Sequence, residues 1–512
     1  MNTDLSVSDL STPTRQSPIA IFLILWKVLR QLFRQAWPLL LIVLFRNLNF
    51  DFTASSSSRT EDPFFTKILI AITIFSTISS LISYFKFYYY IKDNEFVIEK
   101  GLLQKVKINL PFDRIQTINF EQSPIHQLFN IVRMDVDSAG SVQSEISIQA
   151  ISRKDAEYIR SYIMAEKAKT GPTQTEEILV EETKPKEEIL LSHSPLDLLK
   201  IGLSQNHLRG LGIIFGFFFW VFQSLENFLP EIREGQDPKE YIENLGLNFD
   251  GSILLPLLVI LLFFSVLISL FSTVLRYFGL RFAKTEKGFK IVSGLFTKRE
   301  QSANINKIQL IRWGDSILKR IFGIYRLHLY QASSAALTAS KAIGVPGCYL
   351  EQINTVRATY FPDEHQHTYE VHGISPLIIG RRVLYKGLVP ALLLSVFFYQ
   401  EENYYYLAWL LLIPFVYFTS RIFHRNWKVH INKEGIHTEQ GIIGKNYALL
   451  KWYKIQSVTI RQSLYQQRKE VADVYFFTAA GSVKIPYFPL VKAQAIKDYV
   501  LYKVESDTRD WM

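Results

Sequence analysis

Apolar and polar positions follow two textures along this chain. Six stretches are apolar without any period, at roughly 38–45, 68–85, 211–225, 253–271, 384–399 and 404–419, and they fall into three pairs. A helix rises 1.5 Å per residue, so a hydrocarbon layer of about 30 Å needs roughly 20 residues; the second and fourth stretches are read as long enough and the others as marginal. Trp37, Trp220, Tyr399, Tyr404, Tyr405, Tyr406 and Trp409 flank the runs, as rings do that settle at headgroup depth. The pattern predicts six transmembrane helices as three hairpins. Between the pairs, apolar and polar residues alternate one by one, as in "EFVIEKGLLQKVKINLPF" from Glu95 and "GFKIVSGLFTKREQSANI" from Gly288, which predicts hairpins of half-buried strands. Helical periodicity returns at Arg153 to Ala165, Glu351 to Tyr360 and Leu490 to Val504.

The alternating segments repeat. Each contains a glycine, a basic residue thirteen positions later followed by Ile-Gln, and a serine nine positions beyond the base. The first copy has Gly101, Arg114, Ile115, Gln116 and Ser123; the second has Gly294, Lys307, Ile308, Gln309 and Ser316; the third has Gly441, Lys454, Ile455, Gln456 and Ser463. Such a period marks one structural unit used three times. Ser17-Pro18, Ser194-Pro195 and Ser375-Pro376 precede the three hairpins, so the unit reads Ser-Pro, hairpin, β domain. After the repeated serine a short helical turn is expected, with Ser123 as its cap, Pro124 at its first position and Asn130 or Gly323 at its left-handed end. Leu128, Phe129, Ile321 and Phe322 are expected to pack inward. The third copy has neither Gly nor Asn at that end, and a different termination is expected there.

The resulting division is an N-terminal amphipathic segment and first hairpin over 1–87, a β domain over 88–165, a flexible acidic linker over 166–193, and the second hairpin over 194–277. A basic β domain follows over 278–361, then a connector and third hairpin over 362–425 and a last β domain over 426–505. Charge assigns the sides. The loops within the hairpins sum to minus nine, whereas Lys27, Arg30, Arg34, Lys86, Arg209, Arg276, Arg281, Arg381, Arg382, Lys386, Arg421 and Arg425 gather at the other ends. The excess of Lys and Arg predicts that both termini and the β domains are cytoplasmic, in a multi-pass membrane protein. No cleaved signal sequence is expected, and the single cysteine, Cys348, excludes an internal disulfide framework.

The glycine-turn hairpin, the basic-Ile-Gln strand and the run Gln122 to Gly140, with its Ser-Pro, Leu128-Phe129-Asn130-Ile131 and Ala139-Gly140, resemble the membrane-flanked bacterial pleckstrin-homology (PH) domains of the YdbS/YdbT-like family. The triple copy resembles its longer, YdbT-like members. The resemblance implies three seven-strand, half-open β barrels, each capped by a C-terminal helix; it implies no activity.

No phosphate loop, zinc-protease, nucleophile-elbow or dinucleotide motif occurs in the soluble segments, so no catalytic residue, cofactor or metal site is expected. Asp363, Glu364, His365, His367 and His372 are metal ligands by type, yet they lie in a connector without a spacing that would hold them on one face. Charge distinguishes the copies: 278–361 carries thirteen basic residues against four acidic. Lys298, Arg299, Lys307, Arg312, Lys319, Arg320 and Arg326 are the candidate lipid- or partner-binding residues, each worth about 1 kcal/mol near an anionic leaflet. The recurring Arg114, Lys307 and Lys454 are read as structural. The expected partners are the bilayer, anionic headgroups and a protein partner such as a shorter relative of the same family, and not nucleic acid. The expected function is a non-enzymatic scaffold in a cell-envelope or stress-resistance complex; the competing one is a transporter built from six helices, disfavoured because the apolar runs hold almost no ionisable residue.

Overall fold

The computed structural model describes residues 11–24, 81–101, 105–138, 146–169, 187–205, 254–332, 342–362, 369–399 and 404–507, with isolated positions between them. Each copy contributes a four-stranded antiparallel sheet followed by a three-stranded one. The first copy has β1 (Thr14–Arg15), β2 (Tyr88–Lys92), β3 (Glu95–Lys100) and β4 (Val106–Pro111), then β5 (Ile115–Gln122), β6 (Ile131–Ser138) and β7 (Ile146–Ser152). The second has β8 (Glu188–Ser192), β9 (Arg281–Thr285), β10 (Gly288–Ser293) and β11 (Lys298–Asn304), then β12 (Ile308–Gly314), β13 (Tyr325–Gln331) and β14 (Ala342–Cys348). The third has β15 (Glu370–Gly373), β16 (Lys428–Ile431), β17 (Gly435–Gly441) and β18 (Lys445–Lys451), then β19 (Ser457–Arg461), β20 (Val471–Thr478) and β21 (Gly481–Pro489). Helices Arg153–Lys169, Leu350–Tyr360 and Leu490–Ser506 close the copies, and Ile159, Ile353 and Val500 from them are buried in three successive cores.

Each copy's first strand stands before its apolar segment and pairs with the strand that follows it: β1 with β2, β8 with β9 and β15 with β16. The chain thus leaves a sheet, passes through the apolar segment and returns to the same edge. The Ser-Pro pairs start the outgoing helices. Ser194 forms a reciprocal cap with Asp197 on the helix Pro195–Leu203, and the Ser375 hydroxyl accepts from the Leu377 amide.

Among the described residues two helical stretches, Leu258–Tyr277 and Tyr406–Asn426, are long and apolar enough to cross a membrane, so the expected six helices in three hairpins are not found. Leu254–Tyr277 extends about 36 Å at 1.5 Å per residue. The run counted as 384–399 falls short for a physical reason. It belongs to a helical run from Leu377 to Phe397 that passes through a π-helical section, Val383–Leu388, and carries Arg381, Arg382 and Lys386 in its first half. The stretch at 38–45, nearly all of 211–225 and part of 68–85 lie outside the described residues, as do most of the 19–35 segment and of the acidic linker.

Nor are the copies separate barrels. The three-stranded sheet of one copy continues into the four-stranded sheet of the next, giving two seven-stranded sheets: β7-β6-β5-β11-β10-β9-β8 and β14-β13-β12-β18-β17-β16-β15. At the first junction Phe120, Glu121 and Gln122 lie opposite Glu300, Arg299 and Lys298. Apart from the buried Phe120, its contacts are polar: Arg160 pairs with Glu300 at 2.6 Å, Arg299 with Glu121 at 3.3 Å, and the Ser302 amide donates to the Asn119 Oδ1. At the second junction Leu310, Ile311 and Trp313 lie opposite Leu450, Leu449 and Tyr447. Here the copies exchange core residues, since Leu449 enters the second core and Leu310 the third. Trp313 stacks on Tyr447 and His437, with ring centroids 5.2 and 5.3 Å apart. Burial, reinforced by the Arg357 and His430 charges nearby, pushes the His437 imidazole down to about 3.

Two outcomes follow from the contrast between the junctions. Trp313→Ala removes a buried ring and costs about 3–5 kcal/mol, whereas Arg299→Ala breaks a half-exposed pair worth at most about 1 kcal/mol; denaturant titration of the purified chain separates the two. Below about pH 6.5 the unfolded chain takes a proton on residue 437 that the folded chain refuses until about pH 3, so acid weakens the fold across that window by about 1.4 kcal/mol per pH unit for this group. His437→Phe keeps the ring stack and flattens the dependence of melting temperature on pH there.

Candidate membrane-facing surface

The repeated glycines are built for tight reversals. Gly101, Gly294 and Gly441 have φ of +139°, +112° and +155°, and a Cβ on Gly294 would sit 2.0 Å from the Thr297 carbonyl oxygen. Each turns the chain into a hairpin tip, and two tips are fastened to the ends of the two apolar helices. The Gly294 amide donates to the Phe278 carbonyl and the Leu295 amide to the Leu275 carbonyl, both at 3.0 Å, which ties the β10–β11 tip to the last turn of Leu254–Tyr277. Asn426, the last residue of helix Leu412–Asn426, donates its Nδ2 to the carbonyls of Gly441 and Ile442 at the β17–β18 tip. The tips expose Phe296 (54%), with Leu295 beside it, and Ile443.

The short helices Pro124–Leu128 and Ile317–Ile321 stand beside the tip of the following copy. Gln127 donates its Nε2 to the Phe296 carbonyl at 2.6 Å, and the Asp315 amide donates to the Lys445 carbonyl at 2.9 Å. Both helices expose apolar side chains: Leu128 is 78% and Ile321 70% exposed, with Phe129, Ile317 and Leu318 also outside. Leu464 in the third copy's helix, Leu464–Arg468, is 82% exposed. The expected inward packing of Leu128, Phe129 and Ile321 is therefore reversed, because the buried positions of these helices are taken by His126 and Lys319. The expected difference in the third copy is also absent: Glu470 takes the left-handed position at φ +50°, as Asn130 and Gly323 do at +52° and +66°. The apolar pairs that follow the glycines, Leu102-Leu103, Leu295-Phe296 and Ile442-Ile443, are the sequence signal for these tips; the first lies outside the described residues.

The seven basic candidates are not brought into one patch. Arg299 pairs with Glu121, and Arg320 makes two bonds to Asp315 at 2.9 and 3.3 Å. Arg312 donates to the Ser482 carbonyl at 2.5 Å and lies over the Tyr330 ring. Lys319 is buried, with Nζ 3.3 Å from the carbonyl of Ser204, the residue that ends helix Pro195–Leu203; burial pushes its ammonium down to about 8. Lys307 is half-buried at the turn into β12, and Lys298 and Arg326 are exposed. Lys298 and Arg299 open the strand that leaves the β10–β11 tip, and Arg320 lies on the short helix beside the β17–β18 tip.

The repeat motif occupies one structural position in each copy. Ile115, Ile308 and Ile455 are all buried at the entry to the three-stranded sheet. The base before them varies: Arg114 is exposed, whereas Lys454 is buried and donates to the Asn306 carbonyl at 2.6 Å, linking the third copy to the second. Gln309 is buried and Gln456 exposed. Ser123 and Ser463 cap their helices through the hydroxyl, and Ser316 does so without a side-chain bond. Asp363, Glu364, His365 and His367 lie outside the described residues; His372 is half-buried in β15 beside Glu370 and Lys492. Cys348 is buried.

This succession of sheet, closing helix and apolar segment is that of a membrane-associated PH-like protein, and the chain belongs to the bacterial PH domain family: the model described as "Bacterial PH domain" matches residues 36–167, 242–362 and 380–504. Among curated proteins the chain is similar to the UPF0699 transmembrane protein YdbT of Bacillus subtilis (strain 168), with 23% identity over 487 residues and 93% of each chain covered. No solved structure matches the chain. The relative's name and the two apolar helices are consistent with a membrane association of this chain.

Proposed function

We propose that the chain is a non-enzymatic scaffold of the bacterial cytoplasmic membrane, multi-pass with both termini inside, which holds its PH-like sheets against the inner leaflet and presents them to a protein partner. The observation that carries this reading is the bonding of the hairpin tips to the ends of the apolar helices. If those helices cross the bilayer, Leu295, Phe296 and Ile443 stand at headgroup depth, where apolar side chains with basic neighbours are stabilised. Lys298, Arg299 and Arg320 add attraction for anionic headgroups of about 1 kcal/mol each, less for the two already paired with carboxylates. The abundance of Lys and Arg at the sheet ends of the apolar segments supports the cytoplasmic orientation. A six-helix permeation device rested on a helix count that the described residues do not support. Held side by side, the sheets raise one another's effective concentration toward any partner, such as a shorter relative of the same family.

An environment-sensitive dye tests the membrane contact. Cys348 is buried, so a cysteine introduced at Phe296 or Ile321 is the accessible thiol among the described residues. In the full chain reconstituted with phosphatidylglycerol, the dye at either position emits as in an apolar medium, and replacing Lys298, Arg299 and Arg320 with Gln weakens that response relative to phosphatidylcholine. Water-like emission at both positions in both lipids would contradict the reading.

A further inference from the structure

The two junctions between copies share one register. Gln122, 21 residues past Gly101, lies opposite Lys298, 4 past Gly294; Gly314, 20 past Gly294, lies opposite Asn446, 5 past Gly441. In both, the two counts total 25. Two of the three inner strands, β5 and β12, thus receive the fourth strand of the next copy at the same offset. The series leaves two edges over. Among the described residues β19 pairs only with β20, and β4 only with β3. The exposure of β19 follows: Val458 and Ile460 are half-buried where Ile118, Phe120, Ile311 and Trp313 in the equivalent strands are buried.

We propose that these edges meet between molecules, β4 of one copy of this chain pairing with β19 of another in the register of the internal junctions. That register sets Ser457 opposite Leu110, Val458 opposite Asn109, Thr459 opposite Ile108, Ile460 opposite Lys107 and Arg461 opposite Val106. At the first internal junction the pairs at the corresponding positions are Glu121 opposite Arg299 and Phe120 opposite Glu300, so there too an apolar residue of the inner strand meets a charged one of the incoming strand. Lysine on an edge strand commonly discourages pairing. Here Lys107 is partnered by Glu99 at 3.6 Å, and β11 pairs with β5 although it carries Lys298 and Arg299. A second copy is the fitting occupant because both halves of the junction exist on every molecule, with the donor edge at one end of the domain series and the acceptor edge at the other. The contact is heterologous, so it builds a ring or an open row within the membrane and does not stop at a dimer. It does not depend on the rim touching lipid.

Directly opposed residues of an antiparallel pair have Cα atoms about 4.5 or 5.5 Å apart, within disulfide reach. Val106 and Arg461 are exposed, so cysteine there leaves the fold intact, which the melting curve of each variant checks. Two full-length chains with different tags, one V106C and one R461C, are expressed together and oxidised in their membranes. A mixed disulfide carrying both tags is expected, and none when K107C, whose side chain points to the other face, replaces V106C. A single chain bearing both V106C and R461C gives a ladder of multimers beyond the dimer. Absence of the mixed disulfide, equal reaction at K107C, or a double variant that stops at dimer or closes on itself overturns the proposal.

Discussion

Everything else in this molecule depends on how strand edges are satisfied. A strand at the edge of a sheet presents a row of unpaired amides and carbonyls, and natural sheets cover, bend or share such edges. Here the copies share them: β5 takes β11, and β12 takes β18. The shared edges make the three copies one body. They also govern the apolar segments, because each is inserted between two strands that pair with each other. Since the following hairpin tip is bonded to the end of the returning helix, the sheets are set down at a fixed place relative to the apolar helices.

The two junctions are held by different forces. The first relies on Arg160, Glu300, Arg299, Glu121 and the Asn119 amide, groups that keep part of their hydration and contribute little apiece. The second buries Trp313, Leu310, Ile311 and Leu449 and excludes a charge from His437, so it carries most of the cohesion between copies. Residues 170–187 connect helix Arg153–Lys169 to β8, so a chain segment and the polar junction join the same two copies. The mechanically softer connection lies between the first copy and the rest.

Much of this was legible in the residues. The glycines at 101, 294 and 441 announce reversals that only positive φ permits, the buried Ile115, Ile308 and Ile455 follow from the alternation, and Ser123 and Ser463 cap as their spacing requires. Sharing of sheets was not legible, because edge pairing is a backbone interaction and leaves no side-chain period to read. The helix count failed at 384–399 because the apolar run was read apart from Arg381 and Arg382, which precede it in the same helix as Lys386. At the surface the seven bases read as one cluster, yet Arg299, Arg312 and Arg320 are each engaged by a neighbour brought in by the fold. The exposed Leu128 and Ile321 were misread because a single helical turn looks amphipathic in sequence whether or not anything lies against it.

Amide hydrogen exchange of the full chain in lipid nanodiscs tests the sharing of sheets most directly. If the copies form one body, the amides of β11 and β18 that face β5 and β12 exchange as slowly as those of the inner strands β10 and β17. Fast exchange along β11 and β18, beside slow exchange in β10 and β17, would mean that each copy ends at its own edge, and the account of a continuous structure would fall.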